Sequence, residues 1–164
     1  MLNKIVADFS LPSTGERTFE LNFQLRTARG KPLVIYFYPK DHTPGCTTEA
    51  GRFRDLHDEF AKLGCAIYGI SRDSIKSHES FKANLELPFD LLSDTDEKVC
   101  TQFGVMKMKM LYGKQARGIE RCTFVIDGQG VLRGEWRGVK VPGHVEEVLE
   151  FVRTLKGASK NSKF

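Results

Sequence analysis

Leu33-Val-Ile-Tyr-Phe-Tyr38-Pro39-Lys40-Asp41-His42-Thr43-Pro44-Gly45-Cys46-Thr47-Thr48-Glu49 carries the chain from one kind of structure into another. The apolar run Leu33–Tyr38 is too short for a buried helix and rich in β-formers, which predicts a strand covered on both faces. Beyond it, Ala50, Phe53, Leu56, Phe60 and Leu63 recur at helical spacing and predict one helix over about 47–63. Pro39, Pro44 and Gly45 force a turn between the two and leave Cys46 where the helix begins. A thiol there meets unpaired backbone N–H groups and the positive end of the helix dipole, which favour thiolate over thiol. Cys46 is therefore the chain's first candidate for chemistry.

Outward from this stretch, residues 1–31 read as short strands and turns, with Phe9–Pro12 extended, Ser13-Thr14-Gly15 a turn and Thr18–Leu21 an alternating strand. Gly30-Lys31-Pro32 launches the central strand. Gly64 stops the helix, and Cys65–Ile70 supplies a second apolar strand. Ile75, His78, Phe81 and Leu85 line one side of another helix, and Pro88–Leu92 is a short strand. Asp94 and Glu97 have the spacing of a capping box for a short helix that ends at Gly104. Residues 105–118 read as a loop or excursion. Their alternating Met and Lys fit an amphipathic edge over the core ahead of a lipid or peptide surface. Arg121–Asp127 and Val131–Trp136 form a β-hairpin through Gly128–Gly130. A last helix carries Val145, Val148, Leu149, Val152 and Leu155 on one face, and Gly157 onward reads as a frayed polar tail.

At 164 residues, 40% hydrophobic and 28% charged, this is an ordinary composition for one domain, here 1–156 followed by a polar tail at 157–164. A net charge of +4 with scattered basic residues points away from nucleic acid. No run is long enough to span a membrane, and the first eight residues lack the apolar core of a signal peptide. The expected compartment is the cytoplasm, where four irregularly spaced cysteines stay reduced. His42, His57, His78 and His144 form no ligand spacing with the cysteines, so no metal is assigned.

Strand–helix–strand, an intervening helical segment, then hairpin and closing helix is the thioredoxin plan with additions. The fold expected is α/β and thioredoxin-like, a central mixed sheet flanked by helices. In that plan Thr43-Pro44-Gly45-Cys46 stands where a C-x-x-C motif would, with Thr43 in place of the partner cysteine. A dithiol cycle within the turn is impossible.

Pro39-x-x-x-Thr43-x-x-Cys46 resembles the peroxiredoxin signature. The flanking Tyr38–Glu49 and Gly118-Ile-Glu-Arg121-Cys-Thr-Phe-Val-Ile-Asp127 resemble the bacterioferritin comigratory protein, or peroxiredoxin Q, branch. The resemblance covers nearly the whole chain and implies reduction of hydrogen peroxide and organic hydroperoxides at a thiol, with no metal or bound cofactor. By matching position Cys46 would be the peroxidatic cysteine. Pro39, Thr43 and Arg121 would complete the active site, with Gly45 supplying a backbone donor and Glu49 holding the Arg121 guanidinium. Thr43 would orient the peroxide while donating toward the sulfur, and Pro39 would screen the sulfenic acid.

Each residue also has a plainer reading: Arg121 as a surface ion-pair former, Thr43 as a cap, Glu49 as a dipole-matched first-turn acid. Cys65 and Cys100 read as packing. Cys122, next to Arg121 in a strand, points to the opposite face.

Two departures from the resemblance matter. The resolving cysteine that relatives carry five residues after the first is Gly51 here, and Ser80, Phe81 and Lys82 fill its variant site on the next helix. His42 replaces the usual acid or amide. The mechanism expected is one-Cys, with the sulfenic acid reduced by an external thiol such as thioredoxin, glutaredoxin or glutathione, in a monomer or weak homodimer. The rival readings are a thioredoxin-like redox sensor or thiol oxidoreductase, and a non-catalytic binding protein.

Overall fold

A computed structural model describes residues 1–21 and 31–161; Gly30, read as the start of the segment that launches the central strand, lies outside them. Strand β3 (Leu33–Phe37) is buried at every position because it has a strand on each side and a core cluster on each face. It pairs in parallel with β4 (Ala66–Ser71), Leu33 opposite Ala66, and antiparallel with β8 (Cys122–Ile126), Phe37 opposite Cys122. With β1 (Phe9–Ser13), β2 (Arg17–Leu21), β5 (Asp90–Ser93) and β9 (Leu132–Arg137), the mixed sheet runs β2-β1-β5-β4-β3-β8-β9.

Strand alternation divides the core in two. Leu33, Ile35 and Phe37 face a cluster with Phe103, Val105, Cys100, Cys122 and Phe124. Val34, Tyr36 and Tyr38 face the other, with Cys46, Phe53, Phe60, Phe81 and Val148. The second layer is built by helices α1 (Pro44–Asp55), α2 (His57–Lys62), α3 (Ile75–Leu85) and α5 (His144–Asn161), and the first by the short α4 (Lys98–Gln102).

Four local expectations are corrected. The single helix over 47–63 begins earlier, at Pro44, and is split at Leu56, where the Glu59 N–H bonds back to the Leu56 carbonyl, three residues away, at 3.0 Å. No proline or glycine marks that break, so the apolar periodicity runs through it.

The capping box also fails to form. Glu97 sits at a left-handed φ of 64° and its carboxylate pairs with Arg72 and Arg117. Asp94, fully buried, accepts from the N–H groups of Val99 (3.2 Å) and Cys100 (2.7 Å), and Asp96 from that of Lys98 (3.1 Å), which secures the start of α4.

Residues 105–118 are no loop. Met106–Leu111 (β6) and Lys114–Ile119 (β7) form an antiparallel hairpin, closed by Tyr112 and Gly113 at φ 52° and 76°, the two positive values a tight two-residue turn demands. Only Met106 of its methionines packs against the core; Met108 and Met110 are exposed.

Finally, α5 continues past Gly157 to Asn161, since one glycine among helix formers does not stop a helix.

Candidate active site

The turn after β3 is held from both sides. Thr43 is extended (φ −87°, ψ 153°) and Pro44 occupies the first helical position, where its missing N–H costs nothing. Gly45 leaves room for the guanidinium: a Cβ there would lie 3.1 Å from Nη2 of Arg121, which would have to shift by a few tenths of an ångström. Cys46 follows in the first turn of α1, 3% exposed.

Arg121 arrives from the residue before β8. Because β8 runs antiparallel to β3, its first residues lie beside the last residues of β3. One guanidinium nitrogen donates to Cys46 Sγ at 3.5 Å and the other to Glu49 Oε1 at 2.7 Å. Glu49 is fully buried, and its second oxygen has no hydrogen-bond partner among the described residues. Burial pushes the Glu49 carboxyl up to about 7 against the opposing pull of Arg121. Burial pulls the Arg121 guanidinium down, but Glu49 and Cys46 together outweigh it and raise the group, so the arginine stays charged and Glu49 is the member of the pair that can take a proton. The positive helix end and the guanidinium thus converge on one sulfur.

Of the residues singled out from the sequence, Cys46, Gly45, Arg121 and Glu49 meet directly. Pro39, half-buried, and Thr43 belong to the same turn. The Thr43 hydroxyl, expected to donate toward the sulfur, instead donates to the Lys40 carbonyl at 2.8 Å. This leaves its oxygen lone pairs as acceptors. His42 takes a left-handed φ of 65° and sets its ring edge-on to Phe81 at 5.2 Å.

The sequence reading missed two groups. The first is a buried network behind the turn. The Asp41 carboxylate accepts from Tyr38 Oη (2.6 Å) and Ser77 Oγ (2.8 Å) and meets His78 Nδ1 at 2.7 Å, while the Asp41 N–H donates to Asp73 at 2.9 Å. His78 is wholly buried, and its Nε2 faces the Leu92 carbonyl at 2.9 Å. Each ring nitrogen thus stands against an oxygen acceptor. Burial pushes the Asp41 carboxyl up, but the bonds from His78, Tyr38 and Ser77 outweigh it and hold the group below its usual range.

Asp41, Asp73 and His78 lie close enough to invite a metal reading, yet the 2.7 Å contact is a hydrogen bond, and Asp73 accepts from the Asp41 N–H and from Ser71 Oγ at 2.5 Å. The ligand atoms satisfy one another. In sequence, the only trace was a histidine at a core position of α3.

The second missed group is His144, hydrogen-bonded through Nε2 to Thr123 Oγ1 at 2.8 Å. Burial, then the Arg121 charge, pushes it down to about 4, so it presents a neutral imidazole. It lines a groove of about 800 Å³ with Trp136, Val139 and Pro142, on the rim where the Val139 N–H bonds to the Arg121 carbonyl at 2.9 Å.

The side chains of the other three cysteines do not reach this site. All four are reduced and buried. Cys100 and Cys122 belong to the cluster across the sheet, as alternation required of Cys122. Burial raises both thiols, Cys122 to about 11. Cys65 precedes β4 beside the start of β3, about five strand residues or ~17 Å from the end that bears Cys46.

Residues 2–134 match the model of the AhpC/TSA family. The chain belongs to this family. Within it the chain sits in the peroxiredoxin branch of Bcp and peroxiredoxin Q. It is 50% identical over 141 residues to a putative peroxiredoxin bcp of Coxiella burnetii, an alignment that covers 86% of this chain and 91% of that one. It is 51% identical over 132 residues to peroxiredoxin Bcp of Bacillus subtilis, covering 80% and 84%. A solved structure of the bacterioferritin comigratory protein of Xanthomonas campestris, described in terms of its alkyl peroxide reduction, superposes with a TM-score of 0.83 at 45% identity over 90% of this chain and 92% of that one. These likenesses bear out the thioredoxin-like peroxiredoxin fold and a thiol-dependent peroxidase activity. Among the described residues no helix is long and apolar enough to cross a membrane.

Proposed function

We propose that this peroxidase reduces hydrogen peroxide and organic hydroperoxides by a one-Cys cycle at Cys46. The observation that carries the reading is the contact of Arg121 with both Cys46 and Glu49 at a helix start, in a molecule whose other thiols are packed away from that site. The Cys46 thiolate attacks one peroxide oxygen and the O–O bond breaks. Cys46 becomes a sulfenic acid, and the leaving alkoxide or hydroxide takes up a proton. Negative charge spreads from sulfur over both oxygens, and Arg121, with the N–H groups of the first helical turn, offers fixed donors to it. Thr43, its hydrogen committed to Lys40, accepts from the peroxide O–H and sets the line of attack. Pro39 presents a compact ring without an N–H donor to the sulfenic acid.

An external thiol then displaces water to form a mixed disulfide, and a second thiol releases Cys46. Thioredoxin, glutaredoxin and glutathione each have the required chemistry. A reducing compartment such as the cytoplasm suits four reduced cysteines. The test is a set of serine substitutions. Cys46→Ser should abolish peroxide consumption, while Cys65→Ser, Cys100→Ser and Cys122→Ser each retain most of it. Turnover persisting without Cys46, or lost with any one of the other three in a folded variant, would overturn the reading.

A further inference from the structure

The β6–β7 hairpin carries no part of the chemistry above, yet it stands beside it. β7 ends at Ile119, two residues before Arg121, and the Glu120 N–H bonds to the Val105 carbonyl at 2.8 Å. The hairpin root therefore lies on the rim where Cys122 pairs with Phe37, and Phe37 leads directly into the Cys46 turn. The root is braced: Glu97 joins Arg72 and Arg117, and Lys109 Nζ donates to the Ile119 carbonyl at 2.7 Å.

Beyond the root its surface is unusual. Met108, Met110 and Tyr112 are 59%, 67% and 96% exposed, among the most exposed large apolar side chains described. Lys107, Lys109, Lys114 and Arg117 accompany them without any acidic residue between 105 and 119, matching the whole formal net charge of +4. Exposed methionine beside lysine makes an adaptable apolar contact framed by positive charge.

We propose that this hairpin is the docking surface for the protein that reduces Cys46, a dithiol protein with an acidic face around its reactive thiol. The proposal rests on the one-Cys reading, which requires an outside thiol at this rim. The size of the hairpin sets the size of the partner. Six strand residues reach about 20 Å, whereas a tripeptide thiol spans only about 10 Å. A donor with its sulfur on Cys46 and its surface on the hairpin is a folded protein. The steps balance without another reactant: the partner's first thiol and the Cys46 sulfenic acid give a mixed disulfide and water. Its second thiol then attacks the partner sulfur of that bond, leaving a partner disulfide and reduced Cys46. Charge of opposite sign acts mainly by speeding encounter, so the contribution is sensitive to salt.

The test is a Lys107→Glu, Lys114→Glu variant. Both residues are exposed and outside the catalytic turn. Peroxide turnover is followed with dithiothreitol, and with acidic thioredoxin and glutaredoxin kept reduced by their own reductases. At low salt the variant should lose about tenfold or more in kcat/KM for at least one of the two proteins and match the parent with dithiothreitol. Added salt should bring the parent's protein-supported rate toward that of the variant. Equal protein-supported rates in parent and variant, or neither protein outperforming dithiothreitol with the parent, would overturn the proposal. So would a variant that loses binding to phosphatidylserine vesicles with its protein-supported rate intact, since that assigns the hairpin to a membrane surface. Failure of the one-Cys reading shows elsewhere, as a bridge from Cys46 to another cysteine in the peroxide-treated protein.

Discussion

Glu49 joins the electrostatics of the site to the stability of the fold. Its carboxyl, ordinarily at 4.5, is pushed up to about 7 by burial. Between those values the folded chain keeps a proton that the unfolded chain has released. The contribution of Glu49 to stability is therefore fully present below about pH 4.5 and is lost as pH rises through 7. The ionised form that grips Arg121 is thus formed at a cost to the fold, a common arrangement where a charge must be kept ready for chemistry. Glu49→Gln keeps the shape and removes the titration. Subtracting its unfolding free energy from that of the parent, by urea denaturation at several pH values, should give a difference that falls by a few kcal/mol between pH 5 and 8. Parallel curves across that range would show that Glu49 does not titrate there. The position of Glu49 could be read from the sequence. Its burial could not: read as a first-turn acid, it lies beyond the first turn of a helix that begins at Pro44, and a helical acid looks the same whether it faces solvent or an arginine from 72 residues away.

At the scale of the elements, the Cys46 turn is fixed less by its own bonds than by α3. His42 sits in a left-handed conformation that a non-glycine residue adopts at a cost, and the Asp41–His78 pair beside it binds the turn to α3 and, through Leu92, to β5. We predict that this pair positions the turn. His78→Phe keeps the ring volume and deletes both ring nitrogens; His78→Asn keeps a side-chain amide that can donate to Asp41. In the phenylalanine variant the peroxide rate should fall about tenfold or more, with a stability loss of about 3–5 kcal/mol from the abandoned carboxylate. Alkylation of Cys46 by iodoacetamide should accelerate as this residue, only 3% exposed, is uncovered, and asparagine should recover much of both. If the two rates change together by one factor, His78 matters only to the global fold. This network was hidden from the sequence because its members lie 37 residues apart in the pair Asp41–His78, and period alone cannot tell a core histidine from a bonded one. The β6–β7 hairpin was missed for a different reason. The alternation in Met106–Leu111 has the period of a strand, but its turn, Tyr112-Gly113, lacks the Asn-Gly or Asp-Gly pair that announces such a hairpin.

Over the whole molecule, the sheet acts as a partition between thiols. The strand–turn–helix unit around Cys46 and the opposite-facing Cys122 were legible because each follows from local period and punctuation. The order β2-β1-β5-β4-β3-β8-β9 was not, since strand partners distant in sequence are chosen by packing. That order sets the redox fate of the protein. It places Cys100 and Cys122 under one face, Cys46 over the other, and Cys65 at the far end of the same layer. Relatives with a resolving cysteine at the Gly51 position must unwind α1 to close a bridge, because residues five apart on a helix do not face each other. Here no bridge rewards such unwinding. Oxidation by one equivalent of peroxide should leave Cys46 as a sulfenic acid, or as a mixed disulfide when a small thiol is present. Excess peroxide without thiol should carry it on to sulfinic acid, a gain of two oxygens on the Cys46 peptide. Mass spectrometry of the unreduced protein, timed against turnover, reads all three products. A bridge from Cys46 to Cys65, Cys100 or Cys122 that accumulates as fast as peroxide is consumed would mean that the layers part during each cycle, and the one-Cys mechanism would give way to a displaced resolving cysteine.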